Sequence, residues 1–210
     1  MFILNLGSGK LDAKKLTCSY SMKTNIFQVS VDRSYKNENI IESIELSHFA
    51  SACSNLKTGF ESYNISCDIF EFLDTYKYKF DHIIAERICE HLFYDSGEIG
   101  RFLDACNQIT NDTATMEILV PNFEKLIFTY QDFKERFECK TAVDSSDINS
   151  KVLLLNCEMT NSRCDPHGSV WSRDLAKFYI EQEKTWQINK FEDEPSFKCR
   201  DCYMRIYLTK

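Results

Sequence analysis

Short apolar runs alternate with amphipathic stretches along this chain. Residues 2–6 (FILNL) read as a buried strand, 26–32 (IFQVSVD) as a second one ending in an acid, and 62–67 (SYNISC) as a third running into Asp68. Between the second and third, residues 40–57 place Ile40, Ile41, Ile44, Phe49 and Cys53 at helical spacing. Residues 80–85 (FDHIIA) predict a fourth strand, 96–109 a helix, and 115–120 (TMEILV) a fifth strand stopped by Pro121. The second half is less regular. An aromatic-rich helix is expected over 123–137, and 151–157 (KVLLLNC) is a strand or a buried segment. Ser172 is placed to cap a helix to about residue 182, with Leu175, Phe178 and Tyr179 inward. Two β-like runs follow, 185–191 and 203–209, which the acidic stretch between them makes a hairpin with a long loop. Alternating strands and helices predict an α/β fold with a largely parallel sheet, and residues 1–210 show no linker, repeat or low-complexity tract that would divide them into domains.

Composition narrows the class. With 43% hydrophobic and 27% charged residues, the 210-residue chain is that of an ordinary globular protein with a sizeable core. No apolar run is long enough to span a bilayer, and no basic-then-apolar leader opens the chain, so the expectation is a cytoplasmic protein without a membrane partner. The net charge of −7 disfavours a nucleic-acid-binding role, which needs clustered Lys and Arg. The ten cysteines are scattered through strands and helices and read as reduced, small apolar fillers. Cys199 and Cys202 have a suggestive spacing, but Cys157 and Cys164 make a poor second pair, so no metal site is expected.

The strand ends carry the chemistry. The first strand runs into Gly7-Ser8-Gly9, the second ends in Asp32, the third in Asp68 and the fourth near Glu86. In a doubly wound sheet those carboxyl ends line one crevice, where ligands bind. Glycines admit a ligand close to backbone and leave amides free at a helix start. A carboxylate after the second strand suits ribose hydroxyls, and one after the third suits an adenine amine. Each feature alone also has a plain reading: a tight strand-to-helix turn for Gly-Ser-Gly, and a helix cap or turn acid for Asp32. Together they point to a nucleoside site.

On LNLGSG (4–9), VSVD (29–32), CDIFEFL (67–73) and FDHIIAERICEHL (80–92), the sequence resembles the class I S-adenosylmethionine-dependent methyltransferases. Glu90-His91-Leu92 is the "EHL" pattern of the branch that acts on small molecules and on carbohydrate or lipid precursors. The stretch 167–191 is similar to the family's fifth helix and sixth strand, which leaves about 121–165 as an insertion between strand five and the following helix. The resemblance implies a Rossmann-like, doubly wound, seven-stranded, mostly parallel sheet with a C-terminal antiparallel hairpin. It implies S-adenosyl-L-methionine as cofactor and a small molecule, sugar or protein as methyl acceptor. Leu6, Gly7, Ser8 and Gly9 would pass beside the cofactor's amino-acid part. Asp32 would bind the ribose hydroxyls, and Arg33 would lie beside the adenine. Asp68 and Ile69 would face the adenine ring, and Ala85 and Glu86 would lie under the methionine moiety. The chain departs from the family in having Leu11 where a third glycine is common, and in opening its first strand at Phe2 where a covering helix usually precedes it.

The sulfonium methyl is already activated, so the protein's task is to align an acceptor and, for an oxygen or ammonium, to remove a proton. His91, His167 and Glu86 are the candidate bases. His91 in "CEHLFY" also reads as a packing or capping residue at a helix start, and His167 in "CDPHGSVW" as a loop anchor. Asn122, Phe123, Phe128, Tyr130 and Phe133 read as a substrate wall or as core under the insertion. A non-catalytic protein of the same fold, binding a nucleoside ligand or a protein partner, is the alternative. A nicotinamide-dependent oxidoreductase would need the glycine fingerprint that Lys10 and Leu11 do not supply.

Overall fold

A computed structural model of the chain describes residues 1–7, 26–31, 60–65, 68–76, 79–127, 167–194 and 203–210. Its strands are β1 (Phe2–Leu6), β2 (Ile26–Val31), β3 (Phe60–Ile65), β4 (Phe80–Glu86), β5 (Thr110–Pro121), β6 (Gln187–Glu194) and β7 (Tyr203–Thr209). Its helices are α1 (Ile69–Thr75), α2 (Glu98–Gln108) and α3 (Arg173–Glu183), with a 3-10 turn at Cys89–His91 and a helical segment over 123–127. The chain forms two compact units: Met1–Glu86 with Ala105–Met116 and Lys210, and Arg87–Asp104 with Glu117–Thr209.

In the first unit the strand order is β3-β2-β1-β4-β5. β1 pairs in parallel with both β2 and β4, and β2 in parallel with β3. Strands of a parallel sheet are covered on both faces and therefore read as nearly continuous apolar runs. That is why FILNL and FDHIIAE were legible: Ile3, Leu4, Leu6, Ile83, Ile84 and Ala85 are all buried. The start of β1 is tied down by Asp81, whose carboxylate accepts from the Phe2 amide (2.8 Å) and from Asn111 Nδ2 (2.7 Å).

Several boundaries differ from the sequence expectation; α2 and β6 shift by two or three residues at an end, and two differences bear on the site. β3 is Phe60–Ile65, so it starts and ends two residues before the expected 62–67. Asp68 therefore does not end a strand. It caps α1, where Oδ1 accepts from the amides of Phe70 (2.8 Å) and Glu71 (3.2 Å). β5 starts at Thr110, not at residue 115, because its first turn of strand is polar and half-solvated and lacks the apolar alternation that begins at Ala114.

In the second unit the strand order is β5-β7-β6. β6 and β7 are antiparallel, with a register shift between Ile188 and Lys190, which is the hairpin pairing the sequence predicts. β7 alternates half-buried and buried positions, burying Met204, Ile206 and Leu208. Arg205 joins the hairpin to β5: its Nη1 lies 2.9 Å from Glu117 and its Nε 2.5 Å from Glu194. Ser172 caps α3 as expected, its Oγ accepting from the Leu175 amide at 3.1 Å. The inward face of α3 is Ala176, Tyr179 and Ile180. Phe178 is 46% exposed, contrary to expectation, because it lies one position off that stripe; its ring rests against Tyr94, 5.8 Å away.

The two described cysteines, Cys89 and Cys106, are buried. Burial pushes the Cys106 thiol far above its ordinary pKa, since a thiolate cannot be solvated there. Cys106 is accordingly expected to resist iodoacetamide in the native protein and to react only after unfolding, which peptide mass spectrometry reads directly. Rapid native labelling of Cys106 would contradict its burial. The segments 40–57 and 151–157, together with Phe128, Tyr130, Phe133, Cys157, Cys164, Cys199 and Cys202, fall outside the described residues. Among the described residues, no helix is long and apolar enough to cross a membrane.

Candidate functional site

The register of the first unit builds an edge. Leu6 pairs with Val31 on one side and with Ala85 on the other, and Val31 pairs with Ile65. These residues form one row across the carboxyl ends of four parallel strands. The residues next in sequence are Gly7, Asp32, Ser66 and Glu86. β1 is flanked by β2 on one side and by β4 on the other, so the winding direction reverses at this point, where ligands of open α/β sheets bind.

Gly7 shows why a glycine stands there. Its φ is +71°, in the left-handed region, while its amide donates to the Val31 carbonyl at 3.0 Å. A residue with a Cβ would strain that backbone, and a β-branched one most of all. Leu6 is fully buried and acts as sheet core below the edge. Ala85 is likewise fully buried, and Glu86 is half-buried at the last position of β4. Ile69 is the half-buried first residue of α1. Ser8, Gly9, Asp32 and Arg33 lie outside the described residues.

Asn5 is a residue that the sequence reasoning passed over. It is 1% exposed, and its Oδ1 has no hydrogen-bond partner among the described residues. It lies two positions before Gly7 and so on the same face of β1. Its signal was the single polar side chain inside an otherwise apolar run. A buried acceptor of this kind requires a donor. Together with Gly7 at positive φ, it marks the carboxyl end of β1 as a candidate ligand edge.

The second unit brings together two of the three candidate bases. His91 ends the 3-10 turn rather than starting a helix; α2 begins only at Glu98. The rings of His91 and His167 meet edge to face, with centroids 4.9 Å apart. Glu90, the residue before His91, is buried. Nearby, a cleft of about 410 Å³ is lined by Tyr94, Asp95, Ile99, Tyr179 and Gln182 among others. Burial, with Tyr94 and Asp95 adding to it, holds the Tyr179 hydroxyl above its usual pKa, so it stays a neutral donor to the Val170 carbonyl at 3.1 Å. Asn122 is buried, and its Nδ2 approaches Asp193 Oδ1 at 3.4 Å.

No protein-family model and no curated protein sequence matches the chain. Solved structures do. The chain is similar to the 1,6-didemethyltoxoflavin N1-methyltransferase of Burkholderia thailandensis, solved with 1,6-didemethyltoxoflavin and S-adenosylhomocysteine bound, at TM-score 0.55 and 11% identity over 100% of this chain and 70% of that one. It is similar to a SAM-dependent methyltransferase of Methanosarcina mazei at TM-score 0.54 and 13% identity, covering 100% and 92% of the two chains. It is also similar to the N,N-8-amino-8-demethyl-D-riboflavin dimethyltransferase of Streptomyces davawensis at TM-score 0.53 and 14% identity; there it covers 100% of itself but 49% of that chain, so it spans about half that enzyme's length. The fold is thus the one that SAM-dependent methyltransferases use.

Proposed function

We propose that the chain is a single S-adenosylmethionine-dependent methyltransferase domain, with 121–165 inserted after β5, acting on a small-molecule or sugar acceptor. The observation that carries this reading is the row Ile65–Val31–Leu6–Ala85, which aligns four strand ends and lets Gly7 leave the sheet at positive φ. The solved relatives named above act on flavin-like and toxoflavin-type small molecules, which supports the acceptor class.

The bound cofactor supplies an activated methyl group. Gly7, with Ser8 and Gly9, receives its amino-acid part along open backbone. Asp32 accepts from the ribose hydroxyls, with Arg33 beside the base. Asp68 and Ile69 present the start of α1 toward the adenine, although Oδ1 of Asp68 is already engaged as the helix cap. Ala85 and Glu86, at the end of β4, would lie under the methionine moiety. Glu86, His91 and His167 are the groups assigned to proton removal from the acceptor.

Calorimetric titration of the full chain with S-adenosylmethionine tests this. Binding is expected with one site per chain, and Asp32→Ala is expected to weaken it about ten- to hundredfold, the worth of a charge-assisted pair of hydrogen bonds. Absence of binding to the wild-type chain would remove the reading. Binding without methylation of any acceptor in a broad small-molecule and sugar panel would favour the non-catalytic alternative.

A further inference from the structure

The second unit clamps together two segments that are distant in sequence. Arg87 leaves β4 with φ +56°, a left-handed conformation that a non-glycine residue adopts only where its surroundings enforce it, and its amide donates to the Leu119 carbonyl at 2.9 Å. The turn that follows carries Glu90 inward. The Glu90 carbonyl then accepts from the amides of Gly168 (2.7 Å) and Ser169 (3.1 Å). Ser169 Oγ donates to the Cys89 carbonyl at 2.8 Å and accepts from Trp171 Nε1 at 2.9 Å. A Cβ on Gly168 would lie 2.9 Å from the Leu92 carbonyl group, so only glycine permits this approach.

The clamp delivers a definite set of side chains. One ligand-type atom from each of Glu90, His91 and His167 falls within 4.8 Å of the others. Glu90 is 2% exposed, so its carboxylate sits in packed surroundings beside the two imidazoles. Two imidazoles and one carboxylate are the ligand set of borderline first-row divalent ions, which such sites hold with three protein ligands and an open position. Bonds of about 2.0–2.2 Å would put the ligand atoms roughly 3.4 Å apart in a tetrahedron. A bound ion would draw these atoms together by side-chain torsion, while the amides of Gly168 and Ser169 hold the two segments through the Glu90 carbonyl. From the sequence, the two histidines read as separate candidate bases; folding makes them neighbours of one carboxylate.

We infer that Glu90, His91 and His167 form a binding site for a divalent transition-metal ion, whose remaining positions are open to water or to an oxygen of a bound molecule. This does not depend on methyltransferase activity and is tested without it. Co²⁺ is titrated into the full, reduced chain and followed by absorption, because cobalt reports its ligands. The expected result is one Co²⁺ per chain with visible d–d bands and no near-ultraviolet thiolate band. Glu90→Gln and His167→Ala should each weaken binding by about tenfold or more. A thiolate band, no binding, or unchanged affinity in both variants would overturn the site and leave the histidines as an acid–base pair. If a variant loses its near-ultraviolet circular dichroism, the wild-type chain decides. Co²⁺ should then slow diethylpyrocarbonate modification of both His91 and His167, and unchanged modification rates would refute the assignment.

Discussion

Replacing Trp171 with alanine is expected to destabilise the protein by about 3–5 kcal/mol, the usual cost of deleting a buried tryptophan. Trp171 is 1% exposed, and its ring packs on Tyr179 at 5.0 Å between centroids. Its carbonyl accepts from the Phe123 amide at 2.9 Å, and its indole N–H reaches Ser169, which holds the Cys89 carbonyl. The side chain is therefore both filler and the outer member of a hydrogen-bond relay. Thermal or denaturant unfolding measures the loss, expected as a Tm drop on the order of 10 °C. Trp171→Phe keeps much of the volume but leaves the Ser169 hydroxyl without its donor, and should cost about 1–3 kcal/mol. A loss below about 1 kcal/mol for the alanine variant would mean that the loop before α3 does not depend on this residue.

The second large effect belongs to Gly7. Gly7→Val is expected to cost about 1–3 kcal/mol in stability, because a β-branched residue is forced to φ +71°. It is also expected to reduce S-adenosylmethionine binding at least about a hundredfold, because its methyl groups would project from the strand end where the backbone must stay open. Gly7→Ala should show the strain without the bulk: a loss of about 1–2 kcal/mol and a smaller loss of binding. Calorimetry on both variants separates the two contributions. Equal affinity in wild type and Gly7→Val would move the ligand away from this turn.

What could be read from the sequence follows from where the information lies. β1 and β4 were legible because burial on both faces makes a parallel strand uniformly apolar. The α3 cap was legible because Ser172 sits directly before a helical stripe. Asp68 was misplaced at a strand end, although Asp68-Ile-Phe-Glu71 carries the spacing of a helix start, an N-cap acid followed by a glutamate at the third helical position. Phe178 was misassigned because helical periodicity tolerates an error of one position; its exposed ring rests against those of Tyr94 and Tyr179. Glu90 was noticed only as part of the Glu90-His91-Leu92 pattern and not as a candidate site residue. A glutamate in a turn carries no local sign of burial, and its neighbours arrive from a segment dozens of residues later in the chain. Asn5 was hidden for the opposite reason: one polar residue in an apolar run is easily absorbed into the run. The order of parallel strand ends was legible as a spacing in the sequence, whereas the histidine–glutamate cluster exists only in three dimensions.

β6 ends the strand order of the second unit, and an outermost strand is a ready template for another chain. Its sequence, QINKFEDE, closes with three consecutive acids, and the register shift at Ile188/Lys190 breaks the regular spacing of its pairing groups. A strand approaching this border would meet charged side chains held in ion pairs and a mismatched ladder. The irregular hairpin is thus a poor template for a further strand, because its broken register leaves no regular row of backbone groups to pair with.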